Sequence, residues 1–190
     1  MIEAGVPQAL SAAQLSGELP PITAVYVESI EGSTKRGPSR HATLTRPDIL
    51  QRFIDEAAPF VASRTNVYAD PSRRIVVGHS LGVIASLYVA AERPRFCRHV
   101  LALSAALWWP GESGELSGEA AIEHALRRVA MRVWMATGAG EEKKLLDSNA
   151  VFYDRLATAN RDVVRAQHVG GHELRPADVV DGLSYLLDHR

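Results

Sequence analysis

The chain has 190 residues, a length that suits one domain spanning residues 1–190 with a sizeable apolar core. Its formal net charge is -1, which excludes a strongly basic surface for nucleic acid or for an anionic membrane. No apolar run approaches the roughly 20 residues that span a bilayer, and the N-terminus has no cationic or long apolar region of a secretory signal. We therefore expect a cytoplasmic protein, whose single cysteine, Cys97, cannot form an internal disulfide.

Helix and strand patterns alternate along the chain. A first helix is predicted over 7–19 and ends at Pro20-Pro21, and the β-branched run 22–28 predicts a buried strand. The polar segment 29–47 predicts a long loop. There follow helix 48–64, strand 73–79, helix 81–93, strand 98–104, helix 118–129, strand 132–138, helix 147–160, strand 162–169 and helix 176–188. Apolar strands that alternate with helices predict a parallel sheet covered on both faces.

The segment Gly78-His79-Ser80-Leu81-Gly82 matches the pattern G-x-S-x-G between a predicted strand and a predicted helix. In that context a tight turn presents the serine at the carboxyl end of the sheet, and small residues two positions away on either side avoid clashes. A helix that starts at the serine directs its dipole and the Leu81 N–H toward a developing oxyanion. We predict that Ser80 is a nucleophile; the alternative is a plain turn with a capping serine.

A nucleophilic serine needs a base, and the base needs an orienting acid. In hydrolases with this elbow the chain order is serine, acid, histidine, so the base is expected in the loop after the last strand. His172 lies there, directly after Gly170 and Gly171, which allow a sharp turn. His168 falls within a predicted strand and His189 lies at the C-terminus, so both fit less well.

The acid is expected in the loop after strand 132–138. Glu141 and Glu142 lie in this loop and either could orient the base, with Glu141 favoured. Asp147 is a reserve candidate, and Asp162 is less suitable because it begins a strand. The sequence contains no H-E-x-x-H or C-x-x-C motif, so we expect neither a metal nor another cofactor.

Together with the elbow, two further motifs carry a resemblance to a known family. They are the double tryptophan Trp108-Trp109 after the strand that follows the elbow, and the segment G-G-H-E at 170–173. The sequence resembles the esterase D-like α/β-hydrolases, and within them the enterochelin (ferric enterobactin) esterase family. The matching segments are 17–29, 55–64, 69–110, 136–142 and 169–173.

This resemblance implies an α/β-hydrolase-type three-layer sandwich with a mostly parallel sheet, shortened at its N-terminus. It implies Ser80 as nucleophile, His172 as base and Glu141 as acid. The implied reaction is hydrolysis of carboxylic esters through an acyl-enzyme, including the serine trilactone of a catecholate siderophore. The expected partner is thus a small-molecule ester, and neither nucleic acid nor a membrane.

Four residues are candidates for substrate binding. Trp108 and Trp109 could wall an acyl or aryl pocket, because aromatic rings offer a large stacking area; the alternative is core packing under a loop. Arg40, with Arg36 in the same predicted loop, could meet an anionic or catecholate substrate, unless both are solvated loop charges. His79, the variable residue before the serine, is the fourth candidate.

The sequence departs from the family's pattern at three points. Val83 replaces a glycine that usually follows the elbow, and the nearest match to the family's R-x-x-E-L motif, at 40–44, has Thr43 at the acidic position. Thirdly, nothing upstream of the helix at 7–19 matches the family's strand between 22–27 and 74–78, or the loop that supplies a second oxyanion N–H.

The third departure leaves three expectations for the sheet. The strands at 22–27 and 74–78 pair directly, or another chain fills the position between them, or the sequence is a fragment of a longer domain. An open strand edge also favours a homodimer. Two functional alternatives remain beside a siderophore esterase. One is a general carboxylesterase for acetyl or aryl esters, and the other is a non-catalytic or truncated hydrolase-like domain with a binding role.

Overall fold

Seven α-helices and a four-stranded sheet make up the computed structural model, which describes residues 4–27, 40–65, 70–128, 131–159 and 161–188. In chain order the elements are α1 (Val6–Ser16), α2 (Arg40–Thr45), α3 (Pro47–Arg64), a 3-10 turn (Pro71–Arg73), β1 (Ile75–His79), α4 (Gly82–Glu92), β2 (His99–Leu103), α5 (Gly118–Leu126), β3 (Arg132–Gly138), α6 (Lys143–Thr158), β4 (Val163–His168) and α7 (Pro176–Asp188). None of these helices is both long and apolar enough to cross a bilayer.

The sheet has the strand order β1-β2-β3-β4, and all neighbouring strands are parallel. Ile75 of β1 is in register with His99 of β2, which in turn pairs with Arg132 of β3. At the other end Gly138 of β3 pairs with His168 of β4. Because the strands are parallel, their carboxyl ends meet at one edge of the sheet, where ligands bind in open α/β folds. The prediction of a parallel sheet is confirmed.

Helices cover both faces of this sheet, as predicted. Alternate residues of β2 and β3 point to opposite faces, so each strand contributes to two cores. One core contains side chains from α3, α4, α5 and α6 packed on Val100, Ala102, Val133 and Met135. The other contains side chains from α1 and α7 packed on Leu101, Leu103, Trp134 and Ala136. The resulting three layers fix the carboxyl edge of the sheet as a rigid platform for the loops that follow each strand.

The strand predicted at 22–28 is not observed: residues 22–27 have no regular secondary structure, and residue 28 lies outside the described residues. Ile22 and Tyr26 pack against the core that contains α1 and α7, while Val25 and Val27 are 54% and 61% exposed. Direct pairing of this segment with β1 is therefore wrong, since β2 is the only partner of β1 within the described part of the chain. A strand needs a hydrogen-bonded neighbour, and this segment has none there.

Part of the loop predicted at 29–47 is helical. Arg40–Thr45 forms α2, and Pro47 begins α3, while residues 29–39 lie outside the described residues. The Thr45 hydroxyl donates to the His41 carbonyl at 2.7 Å, and the Thr45 carbonyl accepts from the Leu116 N–H at 2.6 Å. The first bond lies within α2, and the second anchors α2 against the segment that follows β2. The short helix has no long apolar face, so periodicity alone does not reveal it.

Candidate active site

The turn after β1 holds Ser80 in a left-handed backbone conformation, with φ of 58°. A non-glycine residue in this region costs about 1–2 kcal/mol and therefore needs support from its surroundings. The Ser80 N–H donates to the Leu103 carbonyl at 3.0 Å. The Ser80 carbonyl accepts from Val83 at 3.1 Å and from Ala106 at 3.2 Å. The predicted elbow is thus present, and backbone bonds to β2 and to the segment after it hold its serine outward.

Glycine is required at position 78 for a steric reason. A Cβ atom at Gly78 would lie 2.4 Å from the Gly82 carbonyl oxygen and 2.6 Å from the Val83 nitrogen. The same crowding was expected at Gly82, but a Cβ there would meet no atom within 4 Å. Gly82 thus supplies the backbone against which Gly78 packs. Val83 is fully buried in the core that contains α4, so valine fits where the family usually has glycine.

The predicted base lies beside the predicted nucleophile. His172 Nε2 is 3.0 Å from the Ser80 hydroxyl, although the two residues are 92 positions apart in the chain. The distance suits a hydrogen bond in which the serine donates to the imidazole. The ring of His79 lies 4.9 Å from that of His172, centroid to centroid, with an interplanar angle of 33°. His79 therefore contacts the predicted base, whereas the sequence suggested a role toward substrate.

Glu141 lies on the opposite side of this imidazole, in the turn between β3 and α6. Its side chain is 0% exposed, and its Oε1 atom is 3.6 Å from His172 Nδ1. That distance is within ion-pair range but longer than a hydrogen bond. Oε1 accepts a hydrogen bond from the Ser104 hydroxyl and another, at 3.2 Å, from the Gly138 N–H. The buried carboxylate is thus held next to the imidazole by two donors from the ends of β2 and β3.

The other acid candidates are engaged elsewhere. Each forms an ion pair with a nearby cation: Glu142 with Lys144, Asp147 with Lys143, and Asp162 with Arg132. Asp147 lies inside α6, which begins four residues earlier than predicted. Among the four carboxylates considered from the sequence, the structure brings only Glu141 to His172.

Backbone contacts join two segments at the carboxyl edge of the sheet. They are the turn between β3 and α6 (residues 139–142, the acid turn) and the loop between β4 and α7 (residues 169–175, the histidine loop). The Ala139 N–H donates to the His168 carbonyl at 2.8 Å, and the Gly140 N–H donates to the Gly170 carbonyl at 2.7 Å. A Cβ atom at Gly138 would lie 2.2 Å from the Gly171 carbonyl oxygen, so no side chain fits between the two segments. The predicted acid, Glu141, and the predicted base, His172, therefore lie on two segments in direct contact.

An ion pair anchors the histidine loop to α7. His168, the last residue of β4, has Nε2 3.4 Å from Asp178 Oδ2, and both side chains are nearly buried. Burial raises the pKa of the Asp178 carboxyl, and His168 beside it partly opposes that rise. His168 thus contacts Asp178 of α7, on the other side of the loop from the nucleophile.

The N–H group of Leu81 is the candidate oxyanion donor. Helix α4 begins at Gly82, one residue after the start of the predicted helix 81–93, and Leu81 is its N-cap in right-handed helical conformation. Across the described residues no hydrogen bond uses the Leu81 N–H. This N–H lies at the N-terminus of the 11-residue helix α4, where the helix dipole stabilises anions. In the family a second donor comes from a loop before the helix at 7–19, and nothing upstream in this sequence matches that loop; residues 1–3 lie outside the described residues.

The two tryptophans have different environments. Trp108 is 39% exposed, and the Lys144 ammonium lies over its ring, 3.9 Å from the ring centroid. Trp109 packs against the core that contains α4 and is 4.7 Å from the ring of His41, centroid to centroid. Core packing thus applies to Trp109, whereas Trp108 offers a partly exposed face. The side chain of Arg40, and all of Arg36, lie outside the described part of the chain.

Sequence reasoning missed Ser104, which contacts Glu141, and Lys144, which lies over the ring of Trp108. Ser104 follows β2 directly, so its place at the carboxyl end of a central strand was a usable signal. Lys144 has no comparable signal, since a lysine in the first turn of a helix is common. No group of three or more histidine, cysteine or acidic side chains suited to a metal occurs among the residues that the structure describes.

Comparisons with known proteins identify a family and several similar proteins. The family model described as "Putative esterase" matches residues 2–175. The iron(III) enterobactin esterase of Dickeya dadantii is 24% identical over 192 residues, which cover 94% of this chain and 43% of the relative. The enterobactin esterase FES of Shigella flexneri, solved in the presence of 2,3-dihydroxy-N-benzoyl-serine, is 23% identical with a TM-score of 0.79, over 94% of this chain and 47% of that one.

A third similar structure is FphF, a fluorophosphonate-binding serine hydrolase of Staphylococcus aureus. It is 15% identical with a TM-score of 0.57, over 72% of this chain and 62% of that one. The structural matches support an α/β-hydrolase-type fold. The chain spans less than half the length of the enterobactin esterases that it matches. Because the family model covers most of its residues, the chain belongs to the esterase family.

Proposed function

We propose that the chain is a serine esterase in which Ser80, His172 and Glu141 act as nucleophile, base and acid. The observation that carries this proposal is the 3.0 Å contact between the Ser80 hydroxyl and His172 Nε2 at the strained elbow. A capping serine in an ordinary turn needs neither a left-handed conformation nor an imidazole acceptor. The buried carboxylate of Glu141 on the far side of the same ring adds independent support.

In the proposed reaction the Ser80 oxygen attacks the ester carbonyl while His172 Nε2 takes the hydroxyl proton. The carbonyl oxygen becomes an oxyanion that the Leu81 N–H faces. Collapse of this intermediate breaks the bond to the alcohol, which leaves with the proton from His172. Water, activated by the same imidazole, then hydrolyses the acyl-enzyme and regenerates the serine.

Glu141 has an electrostatic role in this scheme. A buried carboxylate 3.6 Å from Nδ1 favours the tautomer that carries its proton there, so Nε2 is left as the acceptor. It also stabilises the imidazolium that forms during each proton transfer. Approach of the ring by a few tenths of an ångström would convert the ion-pair distance into a hydrogen bond, as catalytic bonds often tighten when substrate is bound.

The substrate class that we propose is an ester with an aromatic acyl or alcohol group, with catecholate siderophore esters as one case. Two similar proteins carry enterobactin esterase names. In this chain the partly exposed ring of Trp108 would stack on an aryl group, and the Lys144 ammonium beside it would attract a negatively charged one. A carboxylesterase for small acetyl esters would use the same triad without these two side chains.

One observation favours the alternative of a hydrolase-like domain with a binding role. In the described part of the chain the outer edge of β1, the strand that leads into the elbow, has no neighbouring strand. In the family the strand at this position is followed by the loop that supplies a second oxyanion N–H. Loss of one of two oxyanion donors typically lowers the rate about a hundred- to a thousandfold. A chain with a single donor would therefore turn over slowly or not at all.

The test is hydrolysis of p-nitrophenyl acetate and butyrate by the purified chain and its Ser80→Ala variant. Ser63→Ala is the matched control, because Ser63 is an exposed serine of α3 that donates only to the Phe60 carbonyl. We expect Ser63→Ala to match wild type and Ser80→Ala to fall to the background rate. Equal background rates from folded wild type and Ser80→Ala would contradict the esterase proposal and favour a binding role.

A further inference from the structure

Ser104 combines burial with an unusual backbone conformation. It directly follows β2, its side chain is buried, and its φ of 49° lies in the left-handed region. Ser80 and Ser104 are the two residues other than glycine with positive φ in the described part of the chain. The Ser104 N–H donates to the Ala136 carbonyl of β3 at 2.8 Å. A conformation that serine rarely adopts is thus maintained next to the candidate active site.

The conformation directs the Ser104 hydroxyl to Glu141. The hydroxyl donates to Oε1, the same oxygen that faces His172 Nδ1. The Gly138 N–H is the other donor to this oxygen, and Oε2 has no hydrogen-bond partner within the described residues. The orientation of the buried carboxylate therefore depends on Ser104 and on one backbone N–H.

The residues after Ser104 are fixed to the nucleophile and to α6. The Ala106 N–H donates to the Ser80 carbonyl at 3.2 Å. The Asn149 side chain, fully buried in α6, donates from Nδ2 to the Ala105 carbonyl at 2.7 Å. The segment 104–106 thus connects the serine elbow, the acid turn and the helix that follows it. A hydrogen bond made from this segment holds Glu141 relative to the nucleophile as well as to the base.

We propose that Ser104 is a positioning residue that acts on the reaction through Glu141, a role that rests on the esterase activity proposed above. Its hydroxyl keeps Oε1 toward His172, so that the imidazolium formed during proton transfer meets the carboxylate. Ser104 touches neither the substrate nor the reacting atoms. Its removal should lower kcat and leave KM unchanged, because ground-state binding does not involve Glu141.

The test is a double-mutant cycle between Ser104→Ala and Glu141→Ala, with p-nitrophenyl acetate as substrate. Loss of a hydrogen bond to a charged acceptor predicts that Ser104→Ala lowers kcat about tenfold. In the Glu141→Ala background the same substitution should change kcat less than about twofold, because the residue it acts through is gone. Thermal unfolding of each variant establishes that the rates come from folded protein.

Ser104→Gly separates the hydroxyl from the backbone strain. Glycine adopts positive φ readily, so this variant relieves the strain and also removes the hydroxyl. We expect its kcat to match that of Ser104→Ala, and it replaces that variant in the cycle if Ser104→Ala does not fold. Wild-type kcat in Ser104→Gly would overturn the inference, since strain and not the hydrogen bond would then explain any loss in Ser104→Ala.

The outcomes distinguish this inference from the proposed function. A wild-type chain without Ser80-dependent hydrolysis would overturn both. An active wild type with unchanged kcat in Ser104→Ala would overturn the inference alone. A tenfold loss that persists in the Glu141→Ala background would show that Ser104 acts by another route, and would also overturn it.

Discussion

The elbow glycine Gly78 provides a quantitative test of the structure. In Gly78→Ala the new Cβ would lie 2.4 Å from the Gly82 carbonyl oxygen, whereas van der Waals contact begins near 3.4 Å, so the two must separate by about 1 Å. The opposing atoms are backbone, at the start of α4, and cannot rotate away. Overpacking of this kind costs about 2 kcal/mol, which corresponds to a melting temperature lower by about 4–8 °C in a chain of this size.

Gly82→Ala is the matched control for this prediction. Its Cβ would meet no atom within 4 Å, and alanine is the better helix former at the start of α4. We expect its melting temperature to equal or exceed that of wild type. Both variants are measured by thermal and urea unfolding, followed by kcat/KM with p-nitrophenyl acetate. Displacement of the Ser80 turn by about 1 Å should lower kcat/KM of Gly78→Ala about a hundredfold.

The result that would refute this reasoning is a reversed order of stability. If Gly82→Ala melts below Gly78→Ala, the close approach of residue 78 to the start of α4 does not govern the elbow. A Gly78→Ala variant with wild-type stability and wild-type kcat/KM would refute the steric account as well.

Three further predictions concern the predicted acid Glu141, the partly exposed Trp108 and the buried thiol of Cys97. Glu141→Gln should lower kcat about a hundredfold or more, because the charge beside His172 is lost, while Glu142→Gln, on an exposed ion pair, should stay within about twofold. Trp108→Ala should raise KM for 2-naphthyl acetate several-fold more than for ethyl butyrate, since aromatic stacking contributes about 0.5–1.5 kcal/mol; equal changes would exclude stacking. Burial raises the pKa of the Cys97 thiol to about 12, so a disulfide thiol reagent at pH 8 should label it only after urea unfolding, and rapid labelling of the folded chain would contradict that burial.

Four of the five strands predicted from the sequence are observed, and each is a short apolar run between turn signals and helical patterns. The run at 22–28 has the same composition, yet 22–27 forms no strand. Strand formation depends on a hydrogen-bonded neighbour, which composition does not encode. The sequence also could not place α2, a helix too short for a periodic signal.

For the site, chain order was informative. The order of serine, acid and histidine pointed to His172 and to the pair Glu141 and Glu142, with Glu141 favoured. The structure places His172 between Ser80 and Glu141. The place of Ser104 after β2 was a usable signal, but its contact with Glu141 depends on the tertiary fold, as does the position of Lys144 over Trp108. The hydroxyl of Ser104 reaches Glu141 across 37 positions from a left-handed backbone conformation, which no local sequence pattern predicts.

The contact between the acid turn and the histidine loop bears on how such a site can diversify. Gly138 touches the carbonyls of Gly170 and Gly171 at distances that exclude any side chain. An insertion or a bulkier residue in either loop would therefore shift Glu141 and His172 together. The side chains of Trp108 and Lys144, which we propose contact the substrate, can be exchanged without altering that backbone contact, so new specificities are more easily engineered there. A mutant library confined to those two positions should consequently retain far more active clones than one spread over residues 138–142 and 169–173.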